Sequence, residues 1–230
     1  MVLGTSINLV YGCEKVSLGC DHCYIDRRPF SFQKKRFGMK TPFEGRVGYF
    51  DLRNQVKKIE SLPPGSIIIV NLLSDTFAEF IPDSKRDEWH SIFETHPQYQ
   101  FMLITKRIGL AMVYYRARGS VPENVWVGTT VESRKFLPRI EVLRQIKAKI
   151  RWISFEPLLE DLGEISLKGI HLASVGGESG PNKRPFERQW ARNILAICRR
   201  DKVAFNYLGY SGFQDDYLDG VQYDENPLTL

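Results

Sequence analysis

The chain reads as an α/β protein built on a partial or slightly irregular (β/α) barrel of the TIM type, with six to seven parallel strands. Three observations predict it. Short apolar, β-branched runs recur along the 230 residues, helical stretches separate them, and each run ends in polar or glycine residues. Strands alternating with helices imply a parallel sheet with right-handed crossovers. Eight complete units plus a long irregular insertion would crowd this length, since a full barrel takes about 250 residues. A doubly wound open sheet is the alternative.

Taken in order, Ser6-Ile7-Asn8-Leu9-Val10-Tyr11 predicts a short strand ending at Gly12. Tyr24 to Phe50 carries no periodicity, and an insertion this long in a compact domain is functional or mobile. Asp51 is the expected N-cap of a helix to about Leu62, closed by Pro63-Pro64-Gly65. Ser66 to Asn71 is an apolar, β-branched run, the pattern of a strand buried on both faces. Pro82-Asp83 opens a helix through about Thr95, Gln100 to Thr105 is the next strand, and Ile108 to Arg118 the next helix. A strand at Val125 to Gly128, a helix from Ser133 to Ala148 and a strand at Ile150 to Ser154 follow. Leu158 to Ser166 is too short for a full helix. A strand at Ile170 to Val175 ends at Gly176-Gly177, and a helix from Glu187 to Arg200 leads to a last strand, Val203 to Tyr207. Residues 1–209 thus form one expected domain, with an insertion at about 24–50, and residues 210–230 an acidic tail or flap.

At 43% hydrophobic and 26% charged residues the composition is that of a soluble globular chain with ample length for one core. No basic, apolar leader and no long hydrophobic run stand out, so neither a signal peptide nor a membrane span is expected. A cytoplasmic, reducing setting suits the thiols. The net charge of +5 is unevenly spread: residues 1–60 hold eleven Lys or Arg against six Asp or Glu, and the last twenty-one hold five acids and no base. The basic excess shares the cysteine end of the chain. Within 24–50, aromatics alternate with Arg27, Arg28, Lys34, Lys35 and Arg36. Cations track phosphates and rings stack on bases, which predicts nucleic acid as a partner; a loop folded over the barrel accounts for the same composition.

Three of the four cysteines, Cys13, Cys20 and Cys23, fall within eleven residues. Thiolates are soft ligands that favour zinc, copper(I) or iron–sulfur clusters. Zinc sites are closed by four ligands, and the nearby fourth candidate, His22, is squeezed between Asp21 and Cys23. A cubane is ordinarily held by four thiolates; three leave one iron open, the arrangement a radical S-adenosylmethionine enzyme needs. Zinc with a distant fourth ligand, or reduced cysteines without metal, are the other readings. A disulfide framework is not expected from so few and so bunched cysteines. Cys198 sits in an apolar helical stripe with Ile194 and Leu195 and reads as core. His90, His96 and His171 are isolated, so no hydrolase triad is supported.

Active sites of such barrels are built at the C-terminal ends of the strands. There stand Ser74 and Asp75, Thr105-Lys106-Arg107, Thr129 to Ser133, Glu156 and Gly176-Gly177-Glu178. Glu156, Glu178 and Lys106 are the candidate catalytic groups, and Tyr24, Ser74, Asp75, Thr129 and Glu132 the candidate cofactor contacts. Turn residues and helix caps have the same composition, and Ser133 and Asp83 are expected to be caps.

The cysteine stretch together with Leu73-Ser74-Asp75-Thr76-Phe77, Leu103-Ile104-Thr105-Lys106-Arg107, Val125-Trp126-Val127-Gly128, Ser154-Phe155-Glu156-Pro157-Leu158-Leu159 and Gly176-Gly177-Glu178-Ser179-Gly180 resembles the phage-type three-cysteine-motif family, a domain-of-unknown-function group. The resemblance covers about residues 7 to 205. It implies a radical-S-adenosylmethionine-like barrel related to DNA-repair lyases. The spacing C-x6-C-x2-C differs from the C-x3-C-x2-C of that superfamily. Where members tend to show Phe-Lys-Gln-Trp-Gly, this chain has Phe205-Asn206-Tyr207-Leu208-Gly209. The Gly-Gly-Glu element follows the sixth strand rather than the second, so the methionine-binding role of such elements is not carried over to it.

The function expected from these residues is that of a radical S-adenosylmethionine enzyme with a 4Fe-4S cluster on Cys13, Cys20 and Cys23, S-adenosyl-L-methionine as co-substrate, and an electron donor such as flavodoxin or ferredoxin. Two other readings predict different results. A zinc- or cluster-clamped nucleic-acid or partner-binding module has metal but no turnover. A divalent-metal barrel hydrolase using Asp75, Glu132, Glu156 and Glu178 keeps its activity when all three cysteines become alanine.

Overall fold

The computed structural model describes residues 5–26, 31–179, 182–209 and 217–229. In chain order, β1 (Ser6–Ile7) and β2 (Val10–Tyr11) precede the cysteine loop, and α1 (Ser31–Arg36), β3 (Gly48–Tyr49) and α2 (Leu52–Glu60) follow it. Alternation then sets in: β4 (Ile67–Val70), α3 (Asp83–Glu94), β5 (Gln100–Thr105), α4 (Ile108–Arg118), β6 (Val125–Thr130), α5 (Pro138–Arg144) and β7 (Ile150–Phe155). The chain continues through β8 (Leu172–Gly176), α6 (Arg188–Asp201) and β9 (Ala204–Gly209) to a hairpin of β10 (Tyr217–Leu218) and β11 (Val221–Gln222).

Seven of these strands form one parallel sheet in the order β1-β4-β5-β6-β7-β8-β9, curled into a half-barrel. Each new strand adds beside the last and the order never reverses. That is the winding of a barrel, not of a doubly wound sheet, whose defining feature is a reversal of strand order. Among the described residues no helix is long and apolar enough to cross a membrane.

The curled sheet has two different faces, because successive side chains of a strand point to opposite sides. The convex face carries Ile68, Val70, Phe101, Leu103, Val125, Val127, Ile153 and Phe155 into the main core beneath the helices. The concave face is floored by Ile69, Met102, Trp126, Ile150, Trp152, Leu172 and Ala204. Two indoles cover this floor: Trp126 Nε1 donates to Gln100 Oε1 at 3.0 Å and Trp152 Nε1 to the Leu103 carbonyl at 3.0 Å. Trp152 lies so close over β6 that a Cβ at Gly128 would stand 2.3 Å from its ring.

Several local expectations change in three dimensions. The stretch Ser6 to Tyr11 divides. After Ile7, Leu9 N donates to Asn71 Oδ1 (2.8 Å) and Asn8 Oδ1 accepts from Leu73 N (3.0 Å), so side chains take over the ladder and β2 leaves to pair with β3. The insertion is not wholly irregular, since it contains α1 and β3. The helix expected from Ser133 to Ala148 shrinks to a 3-10 turn at Arg134–Phe136 and α5, because Pro138 brings no N–H and can only start a helix. Asp51 caps α2 by accepting from Arg53 N at 2.9 Å. Asp83 is not the cap of α3; Pro82 holds that position and Asp83 pairs with Arg86.

The acidic C-terminal residues lie along the open edge at β9. Tyr207 N donates to Tyr223 O (3.0 Å), Asn206 and Asp224 form an antiparallel bridge, and Glu225 accepts from Phe205 N (2.8 Å). Glu225 and Asp219 also pair with Arg199 and Arg192 of α6.

Candidate functional site

The cysteine loop leaves β2 and crosses the C-terminal end of the sheet. Gly12 turns it, with φ +107 and Arg46 O where a Cβ would go, and Cys13 N donates to Pro42 O at 2.6 Å. A 3-10 turn at Leu18–Cys20 and a second at Tyr24–Asp26 follow. Cys20 is buried, while Cys13 and Cys23 are half-buried.

Side chains from successive strand ends hold this loop. After β4, Ser74 donates to the Gly12 carbonyl and Leu72 O accepts from the Tyr24 hydroxyl. Asp75 is fully engaged: Oδ1 accepts from Phe77 N (2.9 Å) and Thr105 Oγ1 (2.7 Å), and Oδ2 from Lys106 N (3.1 Å) and Arg107 Nη1 (3.1 Å). Arg107 then reaches the loop itself, donating to Glu14 O at 3.2 Å. After β6, the fully buried Glu132 accepts from Ser17 and from Arg139 Nη1 (2.7 Å), and Gly19 lies against it so closely that a Cβ would sit 2.6 Å from Glu132 Cγ. After β8, Glu178 accepts from Arg184 N (2.8 Å) and Nε (2.9 Å) and pairs with His22 Nδ1 (2.9 Å), while Arg184 also donates to Leu18 O (2.7 Å). Thr129 donates to Thr105 O at 2.8 Å and ties β6 to β5 beneath the loop.

The electrostatics follow from this packing. Burial pushes the Cys13 thiol up to about 11, with Asp75 adding to the rise and Arg107 opposing it. Burial also raises Cys23, against the lowering influence of Lys106 and Lys15. Each cysteine responds to a neighbour, Cys13 to Cys23 and Cys23 to Cys20. For Glu178, burial alone would raise the pKa, but the bonds from Arg184 and His22 bring it down to about 2. Glu156 is the opposite case: burial lifts it to about 7, with Lys106 pulling the other way. It stands beside Gly176, whose Cβ would be 3.6 Å from Glu156 Cγ, and within electrostatic reach of Tyr24.

Among the described residues no three His, Cys, Asp or Glu side chains converge tightly enough to cage a single ion. A cluster asks for a different donor set: several thiolates, each on its own iron, in a pocket whose hydrogen bonds and charge set the potential. Three thiols on one loop, one buried and two half-buried, with Arg107 acting on Cys13 and Lys106 and Lys15 on Cys23, fit that demand.

Of the residues singled out in the sequence, Cys13, Cys20, Cys23, Tyr24, Ser74, Asp75, Glu132 and Glu178 gather at the loop, and Glu156 lies within electrostatic reach of Lys106. Among the basic residues, Lys34 pairs with Asp26 (3.1 Å), Lys35 is exposed, and Arg36 lies over the rings of Phe37 (5.4 Å) and Phe50 (5.3 Å). Arg27 and Arg28 fall outside the described residues. Three rings of the insertion pack inward: Phe37 stacks on Tyr11, and Phe37, Phe43 and Phe50 surround a cluster of Tyr11, Ile25, Met39 and Leu73. Ser17, Arg139 and Arg184 were not legible as site residues, because each meets its partner only across a long sequence separation or a helix turn.

The fold is similar to that of spore photoproduct lyase. A cysteine-to-serine mutant of that protein superposes with a TM-score of 0.52 at 12% identity, over 90% of this chain and 76% of the other. For a cysteine-to-alanine mutant the values are 0.53 and 12%, over 88% and 75%. At that identity the likeness is one of fold. No curated protein matches the sequence. Residues 3–227 match the family described as "Protein of unknown function (DUF5131)", and with most of its length covered the chain belongs to that family.

Proposed function

We propose that this chain is a radical S-adenosylmethionine iron–sulfur enzyme acting on a nucleic acid or nucleotide-like substrate. The observation that carries the proposal is the placement of Cys13, Cys20 and Cys23 on one loop across the C-terminal mouth of a curled parallel sheet, held there from four strand ends. The fold it shares with a lyase whose name gives a photoproduct as its substrate supports an enzyme at that mouth.

When bound, a 4Fe-4S cluster would supply low-potential one-electron chemistry toward S-adenosylmethionine. The chain's own residues do the rest. Cys13, Cys20 and Cys23 would hold the cluster, and Lys15, Lys106 and Arg107 would offset the thiolate charge. Ser74, Arg107, Glu132 and Glu178 bond the loop directly, Asp75 fixes Arg107, and Thr129 ties β6 to β5 beneath it, so that the sulfurs stay placed. Glu156, with a pKa near neutrality and within electrostatic reach of Lys106, is the group able to accept or return a proton at pH 7. Tyr24, anchored on Leu72, walls the mouth. The low-potential electron comes from a flavodoxin- or ferredoxin-like donor.

Anaerobic reconstitution tests this. The expected result is about four irons and four sulfides per chain and 5′-deoxyadenosine formed from S-adenosylmethionine only with reductant. Alanine at any one of the three cysteines abolishes both. One zinc without sulfide, or 5′-deoxyadenosine formation that survives loss of the cysteines, overturns the proposal. For the nucleic-acid substrate, replacing Lys34, Lys35 and Arg36 together by alanine is expected to weaken binding of single-stranded DNA or RNA and flatten its salt dependence. Unchanged affinity removes that part of the reading.

A further inference from the structure

Above its apolar floor the concave face carries a row of polar side chains. Thr130, Ser154, Ser174 and Asn206 are partners in register across β6, β7, β8 and β9, Thr130 with Ser154, Ser154 with Ser174, and Ser174 with Asn206. They lie one step along each strand beyond Trp152, Leu172 and Ala204, toward the end where the cysteine loop sits. All four are buried, with Ser174 1% and Asn206 2% exposed. Yet Ser174 Oγ and both amide atoms of Asn206, Oδ1 and Nδ2, have no hydrogen-bond partner among the described residues.

Packing alone does not account for this. Buried polar groups are almost always hydrogen-bonded, and each orphan keeps the full desolvation penalty of its group. Alanine or valine would complete the concave core at no such cost. Unpartnered polar groups in neighbouring register positions, facing the mouth of an enzyme-like fold, are what a ligand site looks like without its ligand. Ordered water can satisfy groups of this kind and gives way to ligand atoms that replace its bonds.

We propose that Ser174 and Asn206 form a recognition pair for the edge of a nucleobase in the substrate. A carboxamide presents one donor and one acceptor side by side, the complement of the donor–acceptor edge that every purine and pyrimidine offers, as asparagine does toward adenine in double-stranded DNA. The Ser174 hydroxyl, on the adjacent strand, adds a third contact of either polarity. The indole of Trp152 supplies an apolar plate on the same face. This inference rests on the reading of the chain as an enzyme on a nucleic acid or nucleotide-like substrate, and it names the atoms that select the base. It also gives the departure from Phe-Lys-Gln-Trp-Gly a location, since Asn206 occupies the lysine's place and lies in this row.

The test is calorimetric titration of the full chain with each of the four deoxynucleoside 5′-monophosphates and, separately, with S-adenosylhomocysteine. The wild type is expected to bind at least one nucleotide and to prefer one base. Ser174→Ala and Asn206→Leu are each expected to weaken that nucleotide about tenfold, to move S-adenosylhomocysteine by less than twofold, and to leave the melting temperature equal or higher, because each removes an unsatisfied group. Asn206→Asp keeps the shape but offers only acceptors, so the base preference moves toward guanine, whose N1–H and N2–H are two adjacent donors. The inference is overturned if no nucleotide binds, if the variants bind as the wild type does, or if S-adenosylhomocysteine is weakened equally. Reductant-dependent 5′-deoxyadenosine from the wild type separates the two claims. Its formation without any nucleotide binding leaves the enzyme and removes the pair, and binding through the pair without its formation does the reverse.

Discussion

His90 shows how one buried side chain couples this fold to pH. The Arg86 carbonyl can only accept, so Nδ1 (2.7 Å) carries the proton and Nε2 accepts from the Tyr115 hydroxyl (2.9 Å). Burial, the largest cause, lowers the imidazole from 6.5 to about 4, with the Arg86 carbonyl opposing. The folded pKa is therefore below the unfolded one, so its contribution is fully present above about pH 6.5 and is lost as pH falls toward 4. That contribution is about 3 kcal/mol. The urea midpoint is expected to fall between pH 7 and pH 4.5, and to fall less steeply in His90→Gln; parallel slopes for the two proteins would count against the assignment. The same care applies at the site. Glu156 and Glu178 look alike in sequence, two acids after two strands, but burial with little pairing raises one and Arg184 with His22 lowers the other. Only the neighbours tell them apart.

At the scale of elements, β6 and β7 depend on one close approach. The Trp152 indole crosses Gly128 to reach the Leu103 carbonyl, so Gly128→Ala forces a methyl group into a ring 2.3 Å away. Overpacking of this kind costs about 1–3 kcal/mol, and the melting temperature is expected to drop by several degrees. A drop of less than one degree would mean that the indole has room to slide. Helices and strands of the barrel were legible because burial on both faces of a parallel strand leaves an uninterrupted apolar run, as at Ile67–Val70, and because Asp51 marks a helix start locally. The division of Ser6 to Tyr11 was not, because the side chains that end the ladder, Asn8 and Asn71, are sixty-three positions apart and each does its work on the other's segment.

For the whole molecule the critical boundary is the open side of the half-barrel. An unpaired edge invites pairing with another chain, and here residues 223–225 pair with β9 while Asp219 and Glu225 neutralise Arg192 and Arg199 of α6. Truncation after Gly209 is expected to expose β9, lower the melting temperature and produce concentration-dependent self-association in sedimentation. A truncated chain that remains monomeric and equally stable would show that the edge needs no cover. The charge imbalance had pointed to an acidic terminus; where it lies was invisible in composition, since its partner arginines belong to α6, more than twenty residues away in sequence.

By itself the sequence determined the alternation of strands and helices and the single loop bearing three thiols, because periodicity and ligand spacing are local and repeat within a few residues. Only the tertiary structure decided which acids clamp that loop, which strand end carries a carboxyl near neutrality, and that Thr130, Ser154, Ser174 and Asn206 stand in one row. Those facts depend on register between strands twenty or more residues apart. Register follows from the packing of the whole curled sheet, which no single segment encodes.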